Sequence, residues 1–223
     1  MNTIRSIAAA MVVLTSTAIS QAVTLVYDTN VALPGTTVAV RPELAGTIIE
    51  DDIVSPFQIT MASGGLITGS IQERVVRSTA TGTLDFYWKV NVDANSAGPL
   101  SYFRIGNILG SSYDADWRID GLGDVGPDSA HLFGGSYTGL GYINFYFSDG
   151  LGAGQSSNFM FVHTDATEYD KSGLMDVADA GTVHISQLFN TYAPVTPVPD
   201  AGATLMLLGV GLSSLAFLRR RTR

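Results

Sequence analysis

The sequence between Val23 and Ala193 predicts an all-β fold, an antiparallel β-sandwich of about nine short strands. Three observations carry that expectation. Apolar and polar residues alternate at a period of two, no stretch sustains the 3.6-residue period of an amphipathic helix, and turn-forming pairs break the alternation at short intervals. The 223 residues are 46% hydrophobic and 14% charged, which excludes a disordered chain and allows one domain or at most two small ones. Such a domain buries about 70% of its unfolded surface, so it needs no disulfides.

Taken in chain order, residues 1–22 have the parts of a secretory signal peptide: Arg5 near the start, an apolar run from Ile7 to Ile19, and small residues at Ser20 and Ala22. Cleavage by signal peptidase is expected between Ala22 and Val23. The alternative, an uncleaved anchor, is disfavoured because the run is shorter than the roughly 20 residues of a membrane span. Turns are expected at Pro34-Gly35, Ser63-Gly64-Gly65, Ala80-Thr81-Gly82, Gly98-Pro99, Asp120-Gly121, Gly126-Pro127 and Asp149-Gly150.

Between turns, the clearest strand is Thr83 to Val92. Leu84, Phe86, Trp88, Val90 and Val92 fall on one face, and Thr83, Asp85, Tyr87, Lys89 and Asn91 on the other, the pattern of a half-buried strand. Gly141 to Phe147 repeats it with Ile143, Phe145 and Phe147 inward. Asn158 to His163 and Gly181 to Leu188 are further strands, the latter with Val183 and Ile185 in phase. Helix is expected only as a turn near Asp176 to Asp179. Many short strands separated by turns point to a jelly-roll or immunoglobulin-like architecture.

The passenger is acidic throughout. Five of the twelve cations lie near the ends, at Arg5, Arg219, Arg220, Arg221 and Arg223, so Val23 to Pro197 holds 19 acids and 7 bases, a formal charge of −12. Nucleic-acid binding is excluded on that ground, since it calls for a basic face with interleaved aromatics.

The chain then runs through a Pro-rich linker at 194–197 into a C-terminal segment at 198–223: Val198-Pro199-Asp200-Ala201-Gly202, an apolar stretch from Ala203 to Leu218, and Arg219-Arg220-Arg221. With the body exported, the Arg cluster is held on the cytoplasmic side. As a short transmembrane helix, the apolar stretch spans about 24 Å against the ~30 Å hydrocarbon core. Its small residues, Gly209, Gly211, Ser213, Ser214 and Ala216, suit close approach by another helix. A segment of this kind fits hand-over to an integral membrane enzyme; the alternative is a plain tail anchor.

On these residues the tail resembles the PEP-CTERM class of bacterial sorting signals, and its pentapeptide is similar to the VPDSG variant. Val198, Pro199, Asp200 and Gly202 match, and Ala201 stands where the variant has Ser. The resemblance covers about a tenth of the chain. It implies an exported bacterial protein, held transiently in the inner membrane, then processed by an exosortase-like membrane protease and passed to the cell surface or exterior. The segments at 82–87 and 164–169 resemble passenger domains that accompany such tails, which implies an exported sandwich with no activity attached.

Chemistry is sparse in the passenger. Without Cys, thiol catalysis and thiolate metal sites are excluded. His131, His163 and His184 share no metal-binding spacing, Gly154-Gln155-Ser156-Ser157-Asn158 departs from G-x-S-x-G at its last position, and no spacing singles out a glycosidase carboxylate pair. No catalytic residue is assigned. One cluster stands out, Asp114, Asp116 and Asp120 in an acidic loop that continues to Asp124 and Asp128. Its oxygens suit Ca²⁺, and Trp117 beside them offers a face to a sugar of an extracellular polysaccharide. Solvated turn carboxylates are the competing account. The expectation is thus an exported surface or matrix protein with a non-catalytic structural or adhesive role, as in a biofilm. The alternatives are a Ca-dependent carbohydrate-binding module on loop 114–128 and a secreted hydrolase.

Overall fold

The computed structural model describes residues 23–108, 113–134, 142–179 and 184–195. The expected signal peptide at 1–22, linker residues 196–197 and the whole of the C-terminal segment 198–223 lie outside the described residues, as does the first part of the strand expected from Gly181. Among the described residues no helix is long and apolar enough to cross a membrane.

Among the described residues eleven strands form two antiparallel sheets, more than the nine expected. The five-stranded sheet runs β2 (Gly46–Thr60), β3 (Leu66–Ser78), β4 (Leu84–Val92), β9 (Met160–His163) and β6 (Asp114–Trp117), in that spatial order. The six-stranded sheet runs β1 (Asn30–Ala32), β7 (Ser129–Phe133), β8 (Tyr142–Leu151), β5 (Leu100–Gly106), β10 (Tyr169–Asp179) and β11 (Phe189–Pro194). The strands β2, β3 and β4 form a meander through the turns at Gly64 and Gly82. Both glycines adopt positive φ, at 84° and 77°, which a side chain would disfavour.

One apolar core joins the sheets. From the five-stranded side, Leu84, Phe86, Trp88 and Val90 of β4 point inward, the set that the alternation singled out; from the other side come Phe103, Ile105, Ile143 and Phe145. The Phe103 ring lies 6.1 Å from Trp88 across the layers and 6.2 Å from Phe145 beside it. Polar groups cross the same gap. Trp88 Nε1 donates to Thr191 Oγ1 at 2.7 Å, and that hydroxyl donates to the fully buried Glu73 carboxylate at 2.6 Å. Lys171 Nζ completes the chain at 3.2 Å from Glu73, so the buried carboxylate has both a donor and a counter-charge.

Several local expectations are corrected. Asp176 to Asp179 is the end of strand β10 rather than a helical turn; the described helix is a single 3₁₀ turn at Pro42–Leu44. Ile185 makes one isolated bridge to Ala178 and is 52% exposed, so it is not an inward strand position. Asp149-Gly150 lies within β8, where the register slips from Leu100↔Leu151 to Tyr102↔Tyr146, and does not separate two strands. The strand β4 is not half-buried: Asp85 and Tyr87 on its far face are as buried as Phe86.

The cover over that far face is a strap. Thr36 pairs in parallel with Arg118 beyond the end of β6, and its amide donates to the Trp117 carbonyl at 2.9 Å. The chain then crosses the outer face of the five-stranded sheet and enters β2 at Gly46, opposite Ser78. Leu44 of the 3₁₀ turn packs on Val76, Tyr87, Phe159 and Phe161, a second and smaller apolar cluster outside the main core. Pro42 at the start of that turn lacks the donor that the turn's first position leaves unused.

Candidate functional site

The register of β4, β9 and β6 lays out the surface beneath the strap as three cross-strand rows. Asp85, His163 and Asp114 stand in the first, and Tyr87, Phe161 and Asp116 in the second. In the third, the Arg118 amide donates to the Phe159 carbonyl at 2.8 Å, and Lys89 lies over the Phe159 ring. Alternation alone puts these side chains on the face opposite the main core.

The first row is an ion-pair network closed by the strap. Arg41 is 3% exposed, and its Nη1 and Nη2 donate to the two oxygens of Asp114 at 3.0 and 2.5 Å, while its Nε donates to Glu43 at 2.7 Å. Burial by itself lowers the Arg41 guanidinium, but the hydrogen bonds to Asp114 and Glu43 outweigh it and leave it raised. His163 Nδ1 and Asp85 Oδ1 are hydrogen-bonded at 2.5 Å. That hydrogen bond raises the histidine against the effect of its burial, and burial raises the fully enclosed Asp85 against the pull of the histidine.

In the second row Asp116 is fully buried. Its Oδ1 accepts the amides of Gly35 and Trp117, each at 2.9 Å, and its Oδ2 has no partner. Burial pushes its carboxyl up to about 6 in spite of those two amides.

The acidic cluster singled out in the sequence is therefore pulled apart. Asp114 is taken by Arg41, Asp116 by two backbone amides, and Asp120 sits exposed in its turn, accepting the Leu122 amide at 3.1 Å. Farther along, Asp124 binds Ser156 and Asp128 binds Ser148. Strand pairing causes the separation, because Asp114 and Asp116 lie in β6 and not in a loop. Among the described residues no three His, Asp or Glu side chains form a group that could hold a metal ion. Trp117 is corrected likewise. Its Nε1 donates to the Leu33 carbonyl at 3.2 Å, and a Cβ on Gly35 or on Gly126 would lie under 3 Å from the indole, so backbone is packed against the ring where a sugar was expected. His131 stacks on Phe133 at 3.9 Å, and Asp128 accepts from the Ser148 hydroxyl.

Sequence reasoning passed over two features. One is the His163–Asp85 pair, whose members are 78 residues apart and meet only through the β4–β9 register. The other is a cavity of about 330 Å³ between the strap and the sheet. The strap contributes Val38 and Leu44, and the sheet Ile48, Arg74, Val76, Tyr87 and Phe159, with Arg118 and Asp120 at the loop after β6. The Tyr87 hydroxyl and Arg118 Nε are buried there without a hydrogen-bond partner. The other six cations between Val23 and Val195 all have acceptors. Arg41, Arg74, Arg104 and Lys171 pair with carboxylates, Arg77 binds the Gly82 and Thr167 carbonyls, and Lys89 binds the Leu122 carbonyl.

The pKa shifts set a pH dependence. Asp116 and His163 hold protons more tightly folded than unfolded, so the stability they contribute is present at low pH and is lost as pH rises through their folded values. Glu43, Asp51, Asp52 and Asp128 are lowered and act in the opposite sense, as pH falls below about 4. Thermal stability is therefore expected to peak near pH 5 and to fall towards pH 7. Asp116→Asn should remove on the order of 1 kcal/mol of that fall, after allowance for solvent screening. Melting temperatures of the two proteins across pH 4.5 to 7 check it; equal slopes would count against the assignment.

Comparison with known proteins bears on the C-terminal segment. Residues 197–222 match the VPDSG-CTERM motif, a PEP-CTERM-like C-terminal sorting motif, and the matched span includes Val198 to Gly202 and Arg219 to Arg221. No curated protein and no solved structure matches the chain. The motif supports an exported protein that passes through the membrane and is processed by exosortase-like machinery.

Proposed function

We propose that this chain is an exported surface or extracellular-matrix protein whose β-sandwich has a structural or adhesive role and no catalytic one. The sorting motif at 197–222 is the observation that carries the reading. The signal-peptide pattern at 1–22 agrees with it, and so does the way the described carboxylates are employed. Asp114, Asp116, Glu73 and Asp176 each bind a cation, a hydroxyl or backbone amides and so hold strands together. Groups engaged in this way rigidify a fold and are poorly placed to exchange protons with a substrate.

In this reading the C-terminal segment is held in the inner membrane with Arg219, Arg220 and Arg221 on the cytoplasmic side, and an exosortase-like enzyme removes it near Val198 to Gly202. The sandwich, with its excess of acids, then resists association with anionic polymers in the absence of bridging cations.

Deletion of residues 198–223 tests the proposal in cells. Fractionation is expected to show the shortened protein missing from the cell surface and accumulating in the periplasm or the medium. Unchanged surface display would contradict it.

A further inference from the structure

We propose that the cavity beneath the strap binds a small organic carboxylate, with its anionic group on Arg118 and Tyr87 and a compact apolar body against Leu44, Ile48 and Val76. The argument starts from charge. In a domain with a large excess of acids, Arg118 is the one cation among the described residues without an acceptor, and its Nε is buried. Arg118 as a whole is half-buried, but a guanidinium N–H sealed from water with no acceptor is costly, and the cost is relieved by an anion that enters from outside. The Tyr87 hydroxyl, on a side chain 3% exposed, lies beside Arg118 and has no acceptor for its own proton, so it is a second buried donor left unused. Two orphaned donors at the wall of one cavity suit a carboxylate, which accepts from both.

The nearby charges do not fill that role. Asp120 is exposed and accepts from its own turn, and Arg74 is already paired with Asp51 at 2.9 Å. The rest of the wall decides the body of the ligand. Leu44, Ile48 and Val76 are apolar, so an acid with a single ring or a short branched chain fits better than a sugar or a bare inorganic anion. At about 330 Å³ the cavity is at the small end of ligand sites, which limits the occupant to that size.

Isothermal titration of the full chain in detergent, with benzoate as probe and benzyl alcohol and sulfate as controls, tests the proposal. Benzoate is expected to bind and to raise the melting temperature, while benzyl alcohol and sulfate bind at least about tenfold more weakly, as befits a charge-assisted contact combined with an apolar one. Arg118→Met should weaken benzoate by about tenfold or more, and Arg118→Lys should weaken it less. Ile48→Trp, at a position 48% exposed, keeps the test open if the Arg118 variants do not fold, because it fills the cavity without touching the anion site. It is expected to abolish binding. Absence of benzoate binding, sulfate binding as tightly as benzoate, or affinity unaltered by Arg118→Met or by Ile48→Trp would overturn the assignment.

Discussion

Replacing Arg41 by Met is expected to cost about 3–5 kcal/mol, the range for breaking a buried ion pair from one side, and to lower the melting temperature by roughly 10 °C. The magnitude follows from what the side chain holds. Arg41 is the shared donor for Asp114 and Glu43, and it is the strap's polar link to β6. Without it the Asp114 carboxylate, 8% exposed, is left facing Asp85 and His163 with no cation of its own. The apolar half of the strap, Leu44 on Tyr87 and Phe161, is then weakened as well, since both halves depend on the same crossing. A second change, Asp114→Asn, is expected to recover part of the loss by removing the stranded charge. Denaturant titration of the single and double variants measures both effects. A loss under about 1 kcal/mol would show that the strap does not rely on this pair.

Phe103→Ala is the other large effect. Phe103 is fully buried in β5, a central strand of the six-stranded sheet, and its ring lies between Phe145 on its own sheet and Trp88 on the other. Truncation leaves a cavity at the point where the two layers meet, with an expected loss of about 3–5 kcal/mol. Because Trp88 Nε1 is tied to Thr191 and through it to Glu73, the indole is not free to turn into the space. The Trp88→Phe variant separates the two contributions: it keeps most of the packing and loses the donor. It is expected to cost less than Phe103→Ala, measured in the same titrations. A Phe103→Ala variant within 1 kcal/mol of the parent would mean that the layers are not held by this contact.

The inward set of β4 and the inward phenylalanines of β8 were legible because those strands have clean alternation and flanking turns. Other strands were hidden by physics that a single sequence does not display. The long strand β2 contains register shifts at Ile48/Glu50 and at Val54/Phe57, and each shift moves the apolar positions to the other parity. In β3 the inward series Ile67, Gly69, Ile71, Glu73 and Val75 is interrupted by a glycine and by a glutamate whose partners, Thr191 and Lys171, are about a hundred residues away. The end of β10 invited a helical reading because Asp176 and Asp179 look like surface residues until Arg104 and His184 are placed beside them.

The same logic applies to the face beneath the strap. Asp85 and Tyr87 fall on the polar parity of β4, and only the crossing of residues 36–46 turns that parity into a second buried layer. The loop expected to hold calcium was grouped by closeness in sequence, whereas strand pairing sends Asp114 and Asp116 towards the strap and leaves Asp120 outside. Trp117 was grouped with the acidic cluster as a face for a sugar, yet the glycines at 35 and 126 are the signal that backbone comes close to the indole. The sorting motif was legible directly, since it is local and depends on no contact with the rest of the chain.

The account rests on a folded passenger that is parted from both ends of the chain after export. The intact mass of the protein recovered from cells tests this most directly. The expected mass begins at Val23, lacks the apolar stretch and Arg219 to Arg221, and includes whatever group is attached at the cut. A mass that retains both the first 22 residues and the C-terminal segment from Val198 to Arg223 would contradict it.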